Sequence, residues 1–273
     1  MRTARALIPE GLKRYLKRYL RVIKYFELGH SFAGALSSPP YSNDKHESAN
    51  SLRDHFMAHK TGPGIWKWTH YFDIYHRHLE KFRGREVRVV EIGVFSGGSL
   101  AMWHEYFGPK AFVYGVDIEP ACRVYENDWT KIFIGDQSDP AFWRDFKAKV
   151  PRVDVVIDDG SHVSHHQITT FEELFPALAP GGVYICEDIG GDRNSFASFI
   201  YGLADSLNSG SPTHDAENAE RCLSIKTNGA QAAVRSISLY PLVAVVEKRG
   251  FGLSELIAPK HGTQWQPFLG GER

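Results

Sequence analysis

Between Val87 and Cys186 the chain alternates short apolar runs with polar or helical spacers. Val87-Arg-Val-Val-Glu-Ile92 is the first run, followed by Ala111–Asp117, Ile132–Ile134, Val153–Asp158 and Gly182–Cys186. Runs this short and this continuously apolar suit strands buried on both faces, which in practice means a parallel sheet covered by helices on each side. Ala141–Val150 and His166–Leu178 have the length and pattern of covering helices. Further on, Val234–Leu239 and Leu242–Lys248 flank Tyr240-Pro241 and read as an antiparallel hairpin at one edge. The expected class is therefore α/β: a doubly wound, mostly parallel sheet of seven strands with an antiparallel C-terminal hairpin, preceded by N-terminal helices.

The pattern also divides the chain. Residues 1–50 read as a basic amphipathic helix and a linker, 51–86 as a helical, aromatic-rich lead-in, 87–250 as the α/β domain and 251–273 as a tail. Within the α/β domain, residues 190–230 are rich in Ser, Asn and Gly and are expected to overhang the site. The lead-in is expected to be helical from about Ser51 to Phe82, with Trp66, Trp68, Tyr71, Phe72 and Tyr75 walling one edge of a pocket. In the N-terminal segment 11–26, Leu12, Tyr15, Leu16, Tyr19, Leu20, Ile23 and Phe26 recur at helical spacing with cations on the other face. Packing on the domain or on a second subunit is the ordinary use of such a helix. Peripheral contact with an anionic membrane is the alternative, and is not favoured.

Charge narrows the function classes. The 32 Lys and Arg balance 32 Asp and Glu, but residues 1–25 hold eight cations against one acid, so the remainder carries −7. An acidic body argues against a nucleic-acid partner, because phosphate binding draws its affinity from basic surface. Cys122, Cys186 and Cys222 show no metal-ligand spacing and cannot all pair, so a reduced, cytoplasmic setting is expected. Segment 11–26 has no uninterrupted apolar stretch of the kind a signal peptide needs.

The first apolar run leads into Glu91-Ile-Gly-Val-Phe-Ser-Gly-Gly-Ser99. A glycine turn between strand and helix lets a ligand approach the backbone and the helix N-terminus. It is not the dinucleotide fingerprint, because Phe95 stands where the second glycine would be. Asp117 ends the second run, Asp136-Gln137 follows the third and Asp158 ends the fourth. Each alone reads as a solvated loop acid or amide, but together they mark the carboxyl ends of consecutive strands, where open α/β sheets bind ligands. There Asp117 would meet ribose hydroxyls and Asp136-Gln137 an adenine edge, with Asp158 beside them.

Asp158-Asp159-Gly-Ser-His162 leaves the fourth run and Glu187-Asp188 the fifth. Adjacent strands lie about 4.8 Å apart, so acids at their ends can converge on one ion. Asp159, Glu187 and Asp188 offer hard oxygen donors and no sulfur, which favours Mg²⁺ over zinc. The ordinary alternative is a pair of helix caps and solvated turns. His165 and His166 are expected on the first turn of the next helix rather than at the ion.

In this order, E-I-G-x-x-x-G-G, G-V-D-I, G-D-Q, D-D-G-S-H and L-x-P-G-G-x-Y-x-x-E-D resemble a class I S-adenosylmethionine-dependent methyltransferase, which has a Rossmann-like sheet. More narrowly, the chain is similar over about residues 51–250 to the metal-dependent sugar O-methyltransferases of macrolide and related antibiotic pathways. The resemblance implies S-adenosyl-L-methionine and Mg²⁺ as cofactors, with Glu91, Gly93 and Ser96 at the methionine end. It implies Asp117 at the ribose, Asp136 and Gln137 near the adenine, Asp159, Glu187 and Asp188 on the metal, and His162 as general base. A glycosylated small-molecule acceptor is implied as partner, and a homo-oligomer is left open. Relatives carry an Asp-Lys pair ahead of an aromatic-Thr-His segment; here His59-Lys60 precedes Trp68-Thr69-His70. Two other readings compete: an iron- and 2-oxoglutarate-dependent hydroxylase, which needs two histidines and one carboxylate, and a binding module on the same scaffold without catalysis.

Overall fold

A computed structural model describes residues 9–37, 49–190, 195–210 and 222–262. The chain divides into two compact units, Met1–Ser48 and Ala49–Arg273.

In the first unit, α1 spans Glu10–Gly34, so the helix expected over 11–26 continues through residues that read as linker. Leu16, Tyr19, Leu20, Ile23 and Phe26 are exposed, and so are Val22, Tyr25, Leu28 and Phe32, which fall off the expected stripe. The side chains of Leu12 and Tyr15, and the linker residues 38–48, lie outside the described residues. Among the described residues no helix is long and apolar enough to cross a membrane.

The second unit opens with α2 (Ser51–Ala58) and α3 (Tyr71–Leu79). The single helix expected from Ser51 to Phe82 is thus broken: the stretch from His59 to His70 is irregular, interrupted by Gly62-Pro63-Gly64. Asn50 caps α2 by accepting from Leu52 and Arg53 N–H and donates to Phe72 O, tying the two helices together.

Then comes the alternation. It runs β1 (Val87–Ile92), α4 (Gly98–Phe107), β2 (Ala111–Asp117), β3 (Thr130–Ile134), α5 (Pro140–Lys149), β4 (Val155–Asp158), α6 (Ser164–Leu174), β5 (Val183–Cys186) and α7 (Ser195–Leu207). After β6 (Cys222–Lys226) and α8 (Gly229–Ala233), β7 (Val234–Tyr240) and β8 (Val243–Lys248) form the hairpin, and β9 (Glu255–Pro259) follows. The main sheet has seven strands in the order β3-β2-β1-β4-β5-β8-β7. Strands β1 to β5 pair in parallel, and β8 joins β5 antiparallel, as expected. β6 and β9 make a separate two-stranded sheet that the sequence did not announce.

Side chains alternate across the sheet with period two. Val87, Val89, Val155, Ile157, Val183 and Ile185 share one core with Tyr71, Phe72, Tyr75, Leu100, Trp103 and Phe107. Val90, Ile92, Val156 and Tyr184 share the other with Trp143, Phe146, Phe171, Leu174, Phe196 and Ile200. Phe196 and Ile200 belong to α7, so this helix is a covering layer of the sheet. None of the described residues of 190–230, which are expected to overhang the site, is among those lining the cavity below. Residues 191–194 and 211–221 lie outside the described residues.

Candidate active site

The chain turns from β1 outward through β2 and β3, then returns to place β4 on the other side of β1. That reversal opens a crevice at the carboxyl ends of the strands. A cavity of about 770 Å³ occupies it, lined by Ile92–Ser96, Val116–Glu119, Gly135–Gln137, Asp159–His162, Glu187 and Asp188. The loop between α2 and α3 supplies a further wall, from Gly64 to Trp68, with Tyr71 behind it, and Ser99, Cys122 and His166 also line the cavity.

Two glycines make this packing possible. Gly93 has φ +88°, and a Cβ there would lie 2.1 Å from Asp159 O, so the turn after β1 rests directly on the backbone after β4. Gly98 begins α4, and a Cβ there would lie 2.3 Å from Pro63 O and 2.6 Å from Gly64 O. Its N–H donates to Gly64 O at 3.2 Å, which seats the α2–α3 loop on the start of the helix.

The residues expected to bind the cofactor divide into those facing the cavity and those behind it. Gly93, Ser96, Asp117, Asp136 and Gln137 line the cavity. Asp117 accepts from Val94 and Phe95 N–H at 2.9 and 3.0 Å through one oxygen and from Glu119 N–H at 2.9 Å through the other. It therefore fixes the glycine turn as well as facing the cavity. Asp136 accepts from Ser138 N–H at 2.7 Å, and that backbone hydrogen bond holds its carboxyl below the usual range. Gln137 accepts from Ser161 N–H at 2.7 Å and donates to Asp158 and Thr170. Glu91 and Asp158 do not line the cavity; both are buried. Glu91 accepts from Ser99 Oγ and Trp103 Nε1, and burial raises its carboxyl against those bonds and Lys67. Asp158 points to the opposite face of the sheet, accepting from Tyr184 Oη at 2.7 Å and Gln137 Nε2 at 3.1 Å. Burial pushes it up to about 6, with those two hydrogen bonds opposing. Asp158, expected beside the cofactor, thus lies behind Gln137 and holds its side-chain amide.

The acidic cluster follows from the register of the sheet. Ile92 pairs with Asp158, and Asp158 with Cys186, so Asp159 and Glu187 leave adjacent strands side by side. Glu91, Asp159 and Glu187 have the same parity and emerge on the face covered by the α2–α3 loop. Lys67 reaches them from that loop. Its Nζ lies 2.6 Å from Asp159 Oδ2, 3.1 and 3.0 Å from the two Glu187 oxygens, and 3.8 Å from Glu91 Oε1. Burial alone would depress the lysine, but Glu187, Asp159 and Glu91 outweigh it and raise it above its ordinary range. Burial raises Glu187, with Lys67 opposing, and Tyr75 Oη donates to Glu187 Oε1 at 2.6 Å. Lys67 is the residue that reading the sequence missed. The parity of the three acids, with one lysine inside Ile65-Trp-Lys-Trp68, was the available signal.

Asp188 stands at φ +51° and accepts from Tyr71 Oη at 2.5 Å and Trp68 Nε1 at 3.0 Å, both through Oδ1. His162, at φ +56°, places Nε2 3.7 Å from Asp188 Oδ2 and 3.8 Å from Asp159 Oδ1. Non-glycine residues held in this region mark positions constrained by their surroundings. Asp159, His162 and Asp188 each offer a ligand atom within 4.8 Å of the others. Glu187 is adjacent, but Lys67 and Tyr75 already engage its oxygens, so the expected three-acid set is only partly open. The open set is two carboxylates and one histidine, the inverse of the hydroxylase triad. His166 stands on α6 as expected, with Nδ1 2.8 Å from Ser161 Oγ.

The chain is similar to known proteins. Residues 90–189 match the family model described as a methyltransferase domain. The chain is 37% identical over 212 residues to 8-demethyl-8-alpha-L-rhamnosyl tetracenomycin-C 2'-O-methyltransferase of Streptomyces olivaceus, covering 71% of this chain and 54% of that protein. It is 37% identical over 164 residues to demethylmacrocin O-methyltransferase of Streptomyces fradiae, covering 58% and 38%. Among solved structures, it resembles the MycE methyltransferase of the mycinamycin biosynthetic pathway in complex with Mg, SAH and mycinamycin VI. That match has a TM-score of 0.58 at 28% identity, covering 73% of this chain and 53% of that one. The chain thus spans about half the length of the first of these relatives and of the solved structure. Residues 90–189 thus match a methyltransferase domain, in a chain that resembles the sugar O-methyltransferases of antibiotic biosynthesis.

Proposed function

We propose that this chain transfers the methyl group of S-adenosyl-L-methionine to a hydroxyl on the sugar of a glycosylated small molecule, assisted by Mg²⁺. The observation that carries the reading is one cavity with two chemically different ends. At one end are the Gly93 turn, Ser96, Asp117, Asp136 and Gln137; at the other are Asp159, Glu187, Asp188 and His162. The volume suits a nucleoside donor with part of an acceptor. Glu91 and Asp158 act from behind, fixing the start of α4 and Gln137.

Asp159 and Asp188 would hold the metal through the oxygens that Lys67, Tyr71 and Trp68 leave open, and Glu187, both of whose oxygens Lys67 engages, would join them on release from the lysine. Their hard oxygens fit Mg²⁺. Bound there, the ion would stabilise negative charge growing on the acceptor oxygen. In the reaction a C–O bond forms as the C–S bond of the sulfonium breaks, and the bonding pair stays on sulfur. The hydroxyl proton passes to His162 Nε2, which lies beside both open carboxylates and is part exposed to the cavity. Lys67 keeps Asp159 and Glu187 together at the sheet edge, so the acceptor end is assembled before ligands arrive. The relatives are methyltransferases and the donor set is not a two-histidine triad, which disfavours the hydroxylase reading. The three free cysteines fit a cytoplasmic setting.

The test is incubation with methyl-labelled donor, Mg²⁺ and a panel of deoxysugar glycosides, with products read by mass spectrometry. One methyl on a sugar oxygen, lost with chelator and in Asp188→Asn, is expected. Transfer that survives both, or that falls on a non-sugar group, overturns the reading.

A further inference from the structure

Trp66 and Trp68 are 86% and 54% exposed, although each lines the cavity. Large aromatics left open at a cavity mouth mark binding surface. The local chain explains their direction. Exposure alternates along this irregular stretch: Trp66 and Trp68 remain open at the mouth, while Lys67 between them is buried and turns inward to the acids.

Trp68 is also held in place. Its Nε1 donates to Asp188 Oδ1, its carbonyl accepts from Tyr71 N–H at 3.0 Å, and its ring lies 6.4 Å from that of His70. His70 in turn is anchored to Pro241 O at 3.0 Å, at the tip of the β7–β8 hairpin. The polar atom of the indole is therefore spent on a residue of the acceptor end, and what remains open is its apolar surface. A pyranose presents just such a pair of features: hydroxyls at the edge and an apolar C–H face. Stacking that face on Trp68 would bring the edge hydroxyls toward Asp188, Asp159 and His162. Trp66, further out on the same side, would meet whatever the sugar is attached to.

We propose that Trp68 is the platform on which the acceptor sugar stacks, and that Trp66 receives an apolar aglycone. The proposal rests on the sugar methyltransferase reading and adds to it the side chains that receive the sugar face and the aglycone.

The test titrates phenyl α-L-rhamnopyranoside and methyl α-L-rhamnopyranoside into the full chain loaded with S-adenosylhomocysteine and Mg²⁺, by calorimetry. Covering the open half of an indole predicts a loss of roughly tenfold or more in glycoside affinity for Trp68→Leu. Trp68→Phe, which keeps a ring, should recover most of it. Trp66→Ala should weaken the phenyl glycoside and leave the methyl glycoside within about twofold. S-adenosylhomocysteine affinity, measured on the same samples, should not change, which also shows that the variants are folded. Glycoside affinity within twofold of wild type in Trp68→Leu overturns the platform, as does an equal loss of S-adenosylhomocysteine affinity. Absence of any glycoside binding by the wild-type chain sinks the acceptor reading itself, and the platform with it.

Discussion

Replacing Gly98 with alanine tests how the α2–α3 loop is seated. A Cβ at this position would stand 2.3 and 2.6 Å from the carbonyl oxygens of Pro63 and Gly64 and 2.7 Å from Ile65 Cγ1. Two of these are backbone atoms, so no side-chain rotation relieves the contact. Overpacking of this kind costs about 1–3 kcal/mol, and straining the Gly98 N–H to Gly64 O bond adds about 0.5–1.5 kcal/mol. Alanine's better helix propensity returns up to about 1 kcal/mol. The net loss is about 0.5–4.5 kcal/mol, or roughly 1–18 °C in melting temperature for a unit of this size. Gly202, exposed within α7 with nothing within 4 Å of its would-be Cβ, supplies the control. There the same substitution should stabilise by about 0.4–1 kcal/mol. Thermal melts followed by circular dichroism compare the two. Because the displaced loop carries Lys67 and Trp68, Gly98→Ala should also weaken methyl transfer, whereas Gly202→Ala should not. A Gly98→Ala protein that melts at or above the wild-type temperature would refute the close approach.

Three further outcomes follow from the same geometry. Lys67→Met leaves buried acids without their cation and should cost about 3–5 kcal/mol in urea denaturation. Adding Glu187→Gln should recover part of that loss, and strictly additive losses would deny the coupling. Glu247 is held down to about 2 chiefly by its hydrogen bond with His78, with burial opposing and Lys81 assisting. A depressed carboxyl stabilises the fold above its unfolded value near 4.5 and loses that contribution as pH falls toward 2. Glu247→Gln should therefore cost about 1–2 kcal/mol at pH 7, allowing for solvent screening. The gap from wild type should narrow by pH 3.5, and a gap that is flat or widens in acid contradicts the ion-pair account. His162→Asn should lower turnover by about 10²–10⁴ while donor affinity stays within twofold, and an unchanged rate would remove the histidine from proton transfer.

The sheet was legible because buried parallel strands are local apolar runs, and their order placed Asp117, Asp136 and Asp159 at one edge. The hairpin was legible from Tyr240-Pro241 for the same local reason. Less of the lead-in could be read: aromatics at nearly helical spacing extended the helix across Gly62-Pro63-Gly64, where the chain turns toward the site. Lys67 is buried because of acids between 24 and 120 positions further on, and no local pattern reports such a partnership. Asp158 and Asp159 look alike in sequence, yet strand alternation sends the first to Tyr184 and the second to Lys67. Counting parity from Ile92 would have separated them. The β6–β9 pair joins short segments of mixed polarity on either side of the hairpin, and its strands are only partly buried.

The most direct test of the account is calorimetric titration of S-adenosyl-L-methionine into the full chain, with and without Mg²⁺. One donor site per chain is predicted, retained on chelation and in Asp188→Asn. It should be lost or weakened at least tenfold in Gly93→Ala, whose added methyl has no space beside Asp159 O. No binding heat at millimolar donor, or wild-type affinity in Gly93→Ala, would contradict the placement of the methyl donor in this cavity.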